Sequence, residues 1–386
     1  MKKTLPKIGI DARLYGPEQG GLGRYIQQLI AHLEILDPGA EFSIFLRSAN
    51  WDAYSPQNPR FKKILADIPW YSLSEQILLP RIFNRAKLDL LHVPHWNIPI
   101  FYRRPFVTTI HDLLLLNYPS RRASALGPIK YWLKNLAFKK ILNHAILNSR
   151  HIFTPSNFSK QDILKNFPKI NSNKITVTPL APAPLSPPTT YRLQQPTAHN
   201  LLTKHKITKP YALYVGVAYP HKNLEGLVKA WAQIEKIAPQ QYQLVFIGKK
   251  NYFYNRLINS PDWKKLSGAI YTDFVDDADL PALYQNATLY VHPSFYEGSA
   301  LPAFEAMQNN LAVAASDSSC LPELLKTAAA YFDPADSLAM ANTILRLLNN
   351  HNERAALIKS GQNLISSLSW ESVAKTTWDS YQKQVL

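Results

Sequence analysis

Residues 294–306 read SFYEGSALPAFEA. An apolar run before them, Ala287 to Val291, reads as a buried strand. A loop with Glu297 and Gly298 follows. Leu301 and Pro302 then open a helix, because proline is favoured at the first helical position, where its missing N–H costs nothing. Glu305 falls within the first turns of that helix. A loop ending at a helix N-terminus offers free N–H groups and the positive end of a dipole to an anion. Two carboxylates beside an anion site call for a ligand that also carries hydroxyls, and a sugar joined to a diphosphate meets both demands. An ordinary strand–loop–helix with two surface glutamates would read the same way.

The length, 386 residues, suits two domains rather than one core. A hydrophobic content of 46% with 18% charged residues describes a folded globular chain. The single cysteine, Cys320, excludes a disulfide framework and fits a reducing cytosol. Lys2 and Lys3 resemble the start of a signal peptide, but Pro6, Lys7 and Asp11 interrupt the apolar stretch after them. No run approaches a membrane span. The net charge of +16 is uneven: residues 1–185 hold 25 Lys and Arg against 11 Asp and Glu, the remainder 18 against 16. The first half therefore calls for an anionic partner, either lipid or nucleic acid.

Along the first 180 residues strands alternate with helices. Strands are expected at Ile8–Ile10, Glu41–Leu46, Leu88–Val93, Phe106–Ile110 and His151–Thr154. Gly20 to Tyr25 reads as a glycine-rich loop, and Tyr25 to Leu36 has helical spacing. This alternation implies βαβ units, a parallel sheet, and ligands at the C-terminal strand ends. Residues 179–190, PLAPAPLSPPTT, hold five prolines and no charge, marking a stiff linker. Beyond it, strands are expected at Tyr211–Val215 and Gln243–Ile247, and helices at Leu224–Ile237, Leu280–Asn286, Leu338–Asn349, Glu353–Leu368 and Trp370–Leu386.

Several residues sit at strand ends. His111 and Asp112 follow one strand, where Asp112 would orient the imidazole; a core histidine bonded to a carbonyl is the plainer reading. His92 and His95 lie at another, without a third residue to complete a metal site, and read as pocket lining or structure. Ser156 can cap the helix after Thr154. Lys222 precedes a helix and can neutralise a diphosphate; a solvated helix start is the bland alternative. Asp277 and Asp279 read as helix-capping acids rather than a metal-binding pair. Residues Arg121 to Ile141 combine Lys and Arg with Tyr131 and Trp132, a candidate membrane-surface patch or a solvated helix face.

The E-x7-E pattern of Glu297 and Glu305, with GxxLPxxEA inside it, resembles the donor-site signature of retaining GT-B glycosyltransferases of family 4, which include bacterial mannosyl- and glucosyltransferases. The stretches 20–25, 109–113, 154–159, 316–323 and 332–334 are similar to further family segments. Residues 216–224 resemble the family's RKN-type motif, with His221 in place of its usual Arg. Ala300 stands where the family usually has Gly, and Asn309-Asn310 near a small-Gly pair. The likeness is strongest over residues 211–335.

The resemblance implies an α/β fold of two Rossmann-like, doubly wound domains facing across a cleft. These would be residues 1–180 for the acceptor and 210–365 for the nucleotide sugar. A Pro-rich linker, 181–209, would join them, and a last helix, 366–386, would cross back. It implies hexosyl transfer from a nucleotide sugar, with a mannosyl-type sugar on GDP expected first and a UDP-hexose second, to a saccharide or lipid-linked acceptor, with retention. Of the candidate catalytic residues, His111 would lie near the transferred sugar. Glu297 would hold sugar hydroxyls, and Lys222, with His221 and the helix N–H groups, would stabilise the leaving diphosphate. Gly21 and Gly23 would lie over the diphosphate and Phe274 and Val275 by the base. Gly298, Ser299, Ala300 and Leu301 would line the donor turn, and Glu305 would accept from the ribose. No metal and no cofactor beyond the donor are expected. The protein would be cytoplasmic, with its basic half on anionic lipid at the inner membrane face and no nucleic-acid partner. Two readings stay open beside it: a GT-B-fold UDP-sugar epimerase and a catalytically weakened transferase homologue.

Overall fold

A computed structural model describes residues 5–118, 128–182 and 198–385. Residues 183–190 of the Pro-rich stretch, Arg121 and Arg122, and the side chains of Lys130 and Tyr131 lie outside what is described. The chain divides into two compact units, residues 1–180 with 369–386, and residues 181–368.

The first unit is built on seven parallel strands: β1 (Lys7–Asp11), β2 (Glu41–Leu46), β3 (Phe61–Leu65), β4 (Leu90–Val93), β5 (Phe106–Thr109), β6 (His151–Thr154) and β7 (Ile175–Val177), in the order 3-2-1-4-5-6-7. Its direction of winding reverses between β1 and β4, and β1 pairs with both β2 and β4. The strand interiors are apolar because both faces are covered; Ile8, Ile10, Leu90 and Leu91 are wholly buried. The last helix, Trp370–Val385, belongs to this unit. It presents Trp370 to Tyr25, Trp378 to Phe42, and the Tyr381 hydroxyl to His92 Nδ1 at 2.5 Å.

The second unit holds six parallel strands: β8 (Tyr211–Val215), β9 (Gln243–Ile247), β10 (Ala269–Tyr271), β11 (Leu289–His292), β12 (Val313–Ser316) and β13 (Ala329–Phe332), in the order 10-9-8-11-12-13. Here the reversal falls between β8 and β11. Trp231, on the helix Leu224–Ile237, fills the space between that helix and the sheet and is fully buried. In open α/β sheets the crevice at such a reversal, beyond the C-terminal strand ends, is where ligands bind.

Two expectations change form. The stretch expected as a linker, 181–209, holds a helix at Ala198–Lys204. Gly20 to Gly23 are not loop: the helix begins at Gly20 and runs to Leu36. The loop lies earlier, and Gly16 and Gly20 take positive φ of 111° and 62° to leave it. Gly23 is required for contact, since a Cβ there would fall 1.9 Å from the Gly16 carbonyl oxygen. Asp279 does occupy the N-cap of Leu280–Asn286, but without a side-chain cap hydrogen bond.

Candidate active site

At the reversal of the second sheet, Lys222 follows β8 and Glu297 follows β11. Lys222 Nζ donates to Glu297 Oε1 at 2.7 Å and to Oε2 at 2.9 Å. His292 Nε2, at the end of β11, donates to the same Oε1 at 3.1 Å. The Glu297 amide donates to Ser319 Oγ at 3.0 Å. Burial alone would raise the Glu297 carboxyl, yet Lys222 and His292 hold it well below the usual carboxylate range. A carboxylate has about four acceptor positions and an ammonium three donors. With three acceptors and two donors engaged, the pair keeps one acceptor and one donor for a ligand.

Asn223 fixes this loop. It is buried, takes φ 57°, and its Nδ2 donates to the carbonyls of Pro293 at 3.1 Å and Pro334 at 2.7 Å. The Lys222 turn is thereby tied to the exit of β11. His221 is neutral: burial, then the Lys222 charge, lower its imidazole to about 4 against the opposing pull of Glu297. Its ring stacks on Tyr219 at 5.9 Å.

The helix after Glu297 spans Leu301–Gln308, with proline in its first turn. Ala300 has φ −121°, a conformation alanine adopts freely, so glycine is not needed there. Asn310 has φ 59°, in the left-handed region that asparagine tolerates better than most residues. Glu305 is 4% exposed and accepts from the Tyr284 hydroxyl at 3.2 Å. The Tyr290 phenol is raised by burial and then by the charges of Glu305 and Glu297, so both carboxylates act on one buried ring. Tyr290 Oη, His292 Nδ1, Ser294 Oγ and Ser299 Oγ are buried without a hydrogen-bond partner among the described residues.

Phe274 and Val275 follow β10. The Phe274 ring is exposed and Val275 buried, while the Phe274 amide donates to Asp273 Oδ1 at 2.8 Å. Gly216 and Gly248, closing β8 and β9, are pressed together: a Cβ on Gly248 would lie 2.0 Å from the Gly216 carbonyl oxygen. The structure thus gathers Lys222, Glu297, Gly298, Ser299, Ala300, Leu301 and Glu305 around one strand end, with His221 on the Lys222 loop and Phe274 and Val275 after a neighbouring strand.

The remaining sequence candidates belong to the first unit. Gly21 is exposed in the first turn of Gly20–Leu36, and Gly23 is buried. His111 Nε2 donates to the Pro94 carbonyl at 3.1 Å, and the Tyr25 ring meets the imidazole edge-on at 4.8 Å. Asp112 Oδ1 accepts from the Leu114 amide at 2.9 Å, so at least one of its oxygens serves the helix start. Burial lowers His111 to about 4, leaving a neutral ring. The Ser156–Ser159 segment is a support: Ser156 caps its helix and Ser159 Oγ donates to the His111 carbonyl at 3.0 Å. His92, also neutral, is tied to Thr109 and Tyr381.

A family model described as "Glycosyl transferases group 1" matches residues 201–364, and one described as "Glycosyltransferase Family 4" matches residues 19–181. The chain belongs to this glycosyltransferase family. O-antigen chain mannosyltransferase B of Escherichia coli is 27% identical to the transferase, over 94% of this chain and 96% of its own. Sucrose-phosphate synthase from Thermosynechococcus elongatus superposes with a TM-score of 0.74 at 21% identity, covering 98% and 99% of the two chains. The Anabaena protein HepE, solved with UDP and glucose, gives 0.72 at 16%, covering 98% and 100%. The fold is GT-B.

Sequence reading gave no role to three residues that the transferase uses to build the site. His292 and Ser319 brace Glu297, and Asn223 braces Lys222. His292 ends a strand, a position that can be found by the same rule that marked His111. Ser319 and Asn223 fall within the family-like stretches 316–323 and 216–224, but their contacts reach residues far along the chain, which no local pattern shows.

Proposed function

We propose that the protein transfers a mannosyl group, with retention, from a nucleotide sugar to a hydroxyl of a saccharide or lipid-linked saccharide. The Lys222–Glu297 pair beside the helix start at Leu301 carries this reading. The bond from the anomeric carbon to the diphosphate breaks and one to the acceptor oxygen forms. A phosphate oxygen of the departing nucleotide takes the acceptor proton. Lys222 offers its remaining N–H to the diphosphate, where charge develops, while Glu297 accepts from a sugar hydroxyl. Glu305 accepts from the ribose. His111, neutral and held by Pro94, presents Nδ1 as an acceptor. Mannose is favoured by the 27% identity to an O-antigen mannosyltransferase along nearly its full length, with GDP as the first nucleotide to try and UDP the second.

Membrane docking is part of the proposal. No helix among the described residues is long and apolar enough to cross a membrane. On Pro128–Asn148, however, Trp132 is 62% exposed and Leu133 53%, with Lys134, Lys139 and Lys140 exposed on the same helix. Aromatic and basic side chains together suit an anionic bilayer surface at the inner face.

The test is a panel of GDP- and UDP-linked mannose and glucose with mannose-terminated acceptors, comparing wild type with Glu305→Ala. GDP-mannose-dependent transfer with retained anomeric configuration, lost in the variant, is expected. Transfer from none of the four donors would remove the proposal, and release of UDP with epimerised sugar would replace it.

A further inference from the structure

A second built site lies wholly in the first unit, at the reversal between β1 and β4. A small hollow there is lined by Asp11, Arg13, Trp70, Pro94, His95 and Asn97, among others. It has room for one group the size of a water molecule. Its floor is a buried ion cluster. Arg13 donates to both oxygens of Asp11 at 2.8 Å and to Glu75 Oε1 at 2.7 Å. Arg13 is 2% and Glu75 0% exposed, so two carboxyl groups share one buried guanidinium.

Three polar atoms on lining residues have no hydrogen-bond partner among the described residues: Trp70 Nε1, His95 Nδ1 and Asn97 Oδ1. Each such buried group costs about 1–3 kcal/mol until it finds one. The Asn97 amide cannot simply be turned round. Its Nδ2 donates to both Glu75 oxygens at 2.9 Å, which fixes Oδ1 as the unpaired acceptor, and the residue is 4% exposed. The residues around this space therefore carry an unpaired donor, an unpaired acceptor and a neutral imidazole nitrogen. A hydroxyl, which donates once and accepts twice, matches this set.

Aromatic surface adjoins the hollow. Tyr71 is 54% exposed and stacks on Trp96 at 5.6 Å, and Trp96 meets His95 at 4.7 Å. Tyr71 takes φ 57°, unusual for a bulky residue, and Glu75 Oε2 holds its amide there at 2.8 Å. The ion cluster thus also sets this aromatic position. The wall residue Pro94 accepts from His111, so the hollow lies one residue from the candidate catalytic histidine.

We propose that this hollow is an acceptor subsite: it takes one hydroxyl of a saccharide, bonded to Trp70 Nε1, His95 Nδ1 and Asn97 Oδ1, with the sugar ring against Tyr71. The inference rests on the transferase reading. A hydroxyl-bearing saccharide supplies the donor and acceptors that these three atoms lack.

Saturation-transfer NMR on the full chain tests it, with the methyl glycosides of mannose, glucose, galactose and N-acetylglucosamine as probes. At least one glycoside should bind and shift the Trp70 indole N–H. Trp70→Phe, which keeps an aromatic ring and removes only the donor, should weaken that glycoside about tenfold while GDP and UDP bind as in wild type. Deoxy analogues of the bound glycoside should show the same loss at a single hydroxyl. Binding that leaves the Trp70 signal unmoved, or no glycoside binding at all while nucleotide still binds, overturns the subsite and leaves the transferase reading standing. Loss of nucleotide binding in the wild-type protein would instead remove the transferase reading.

Discussion

Lys222 Nζ and the carboxylate of Glu297, 75 residues apart in sequence, meet at 2.7 and 2.9 Å where the second sheet reverses direction. The side chains are 20% and 11% exposed, so desolvation of the carboxylate is substantial, and the pairing outweighs it. The pair therefore fixes the Lys222 ammonium beside the helix start before any ligand arrives.

Removing one partner strands the other. Lys222→Ala should destabilise the protein by about 3–5 kcal/mol, as expected when a buried charge loses its mate. It should also cut kcat by roughly 100-fold or more, the typical effect of losing one preorganised charge-stabilising group. Urea unfolding of Lys222→Ala, Glu297→Gln and the double variant measures the coupling. Additive single-variant losses would mean that the contact carries no energy of its own.

Acid should erode the stability that this pair contributes. The folded-state carboxyl of Glu297 lies below its ordinary value of 4.5, so its contribution to stability is full above that pH and declines as pH falls below it. The wild-type urea midpoint should drop more steeply from pH 5 downward than that of Glu297→Gln. Parallel curves for the two proteins would contradict the shift.

His221 titrates near 4 without ligand, because burial and Lys222 disfavour its charged form. A bound diphosphate favours that form and raises the value. Nucleotide affinity should therefore increase as pH falls from 7 towards 5 in wild type, but not in His221→Gln. His221→Arg supplies a fixed charge and should tighten GDP or UDP at pH 7 by roughly fivefold, about 1 kcal/mol for a well-solvated charge pair at contact. Calorimetry at two pH values decides both points.

The proposed function assigns Glu305 to the ribose, and Tyr284 donates to one of its oxygens. Glu305→Gln keeps the shape and loses the charge. It should weaken the ribonucleotide by about tenfold, as for loss of a hydrogen bond to a charged group. It should weaken the matching 2′,3′-dideoxy analogue much less. Equal losses for both would place Glu305 elsewhere in the mechanism.

Gly23→Ala should cost about 1–3 kcal/mol, since the new methyl meets a backbone oxygen rather than a movable side chain. Thermal unfolding of the variant measures it; an unchanged Tm would mean that the Gly16 loop yields without loss.

Much of the architecture was legible along the chain. Tyr211–Val215, Gln243–Ile247, Leu224–Ile237 and Leu280–Asn286 begin and end where their patterns do, because long apolar runs and helical spacing are local signals. Five strands escaped. Phe61–Leu65 carries Lys62 and Lys63 at a sheet edge, Ile175–Val177 and Ala269–Tyr271 are three residues long, and Val313–Ser316 and Ala329–Phe332 are rich in alanine, which favours strands poorly. The glycines at 20–23 misled for a related reason: they have low helix propensity, and packing against Gly16 overrides it.

The sequence by itself determined the alternation of strands and helices, the loop and helix after β11, and which carboxylates and cations stand at strand ends, since each depends on neighbours a few residues away. Only the tertiary structure decided that Lys222 pairs with Glu297, that His292, Ser319 and Asn223 brace the pair, and that Asp11, Trp70, His95 and Asn97 line one hollow. Those contacts join segments brought together by strand order, and the burial that sets their charges exists only once the sheets have formed.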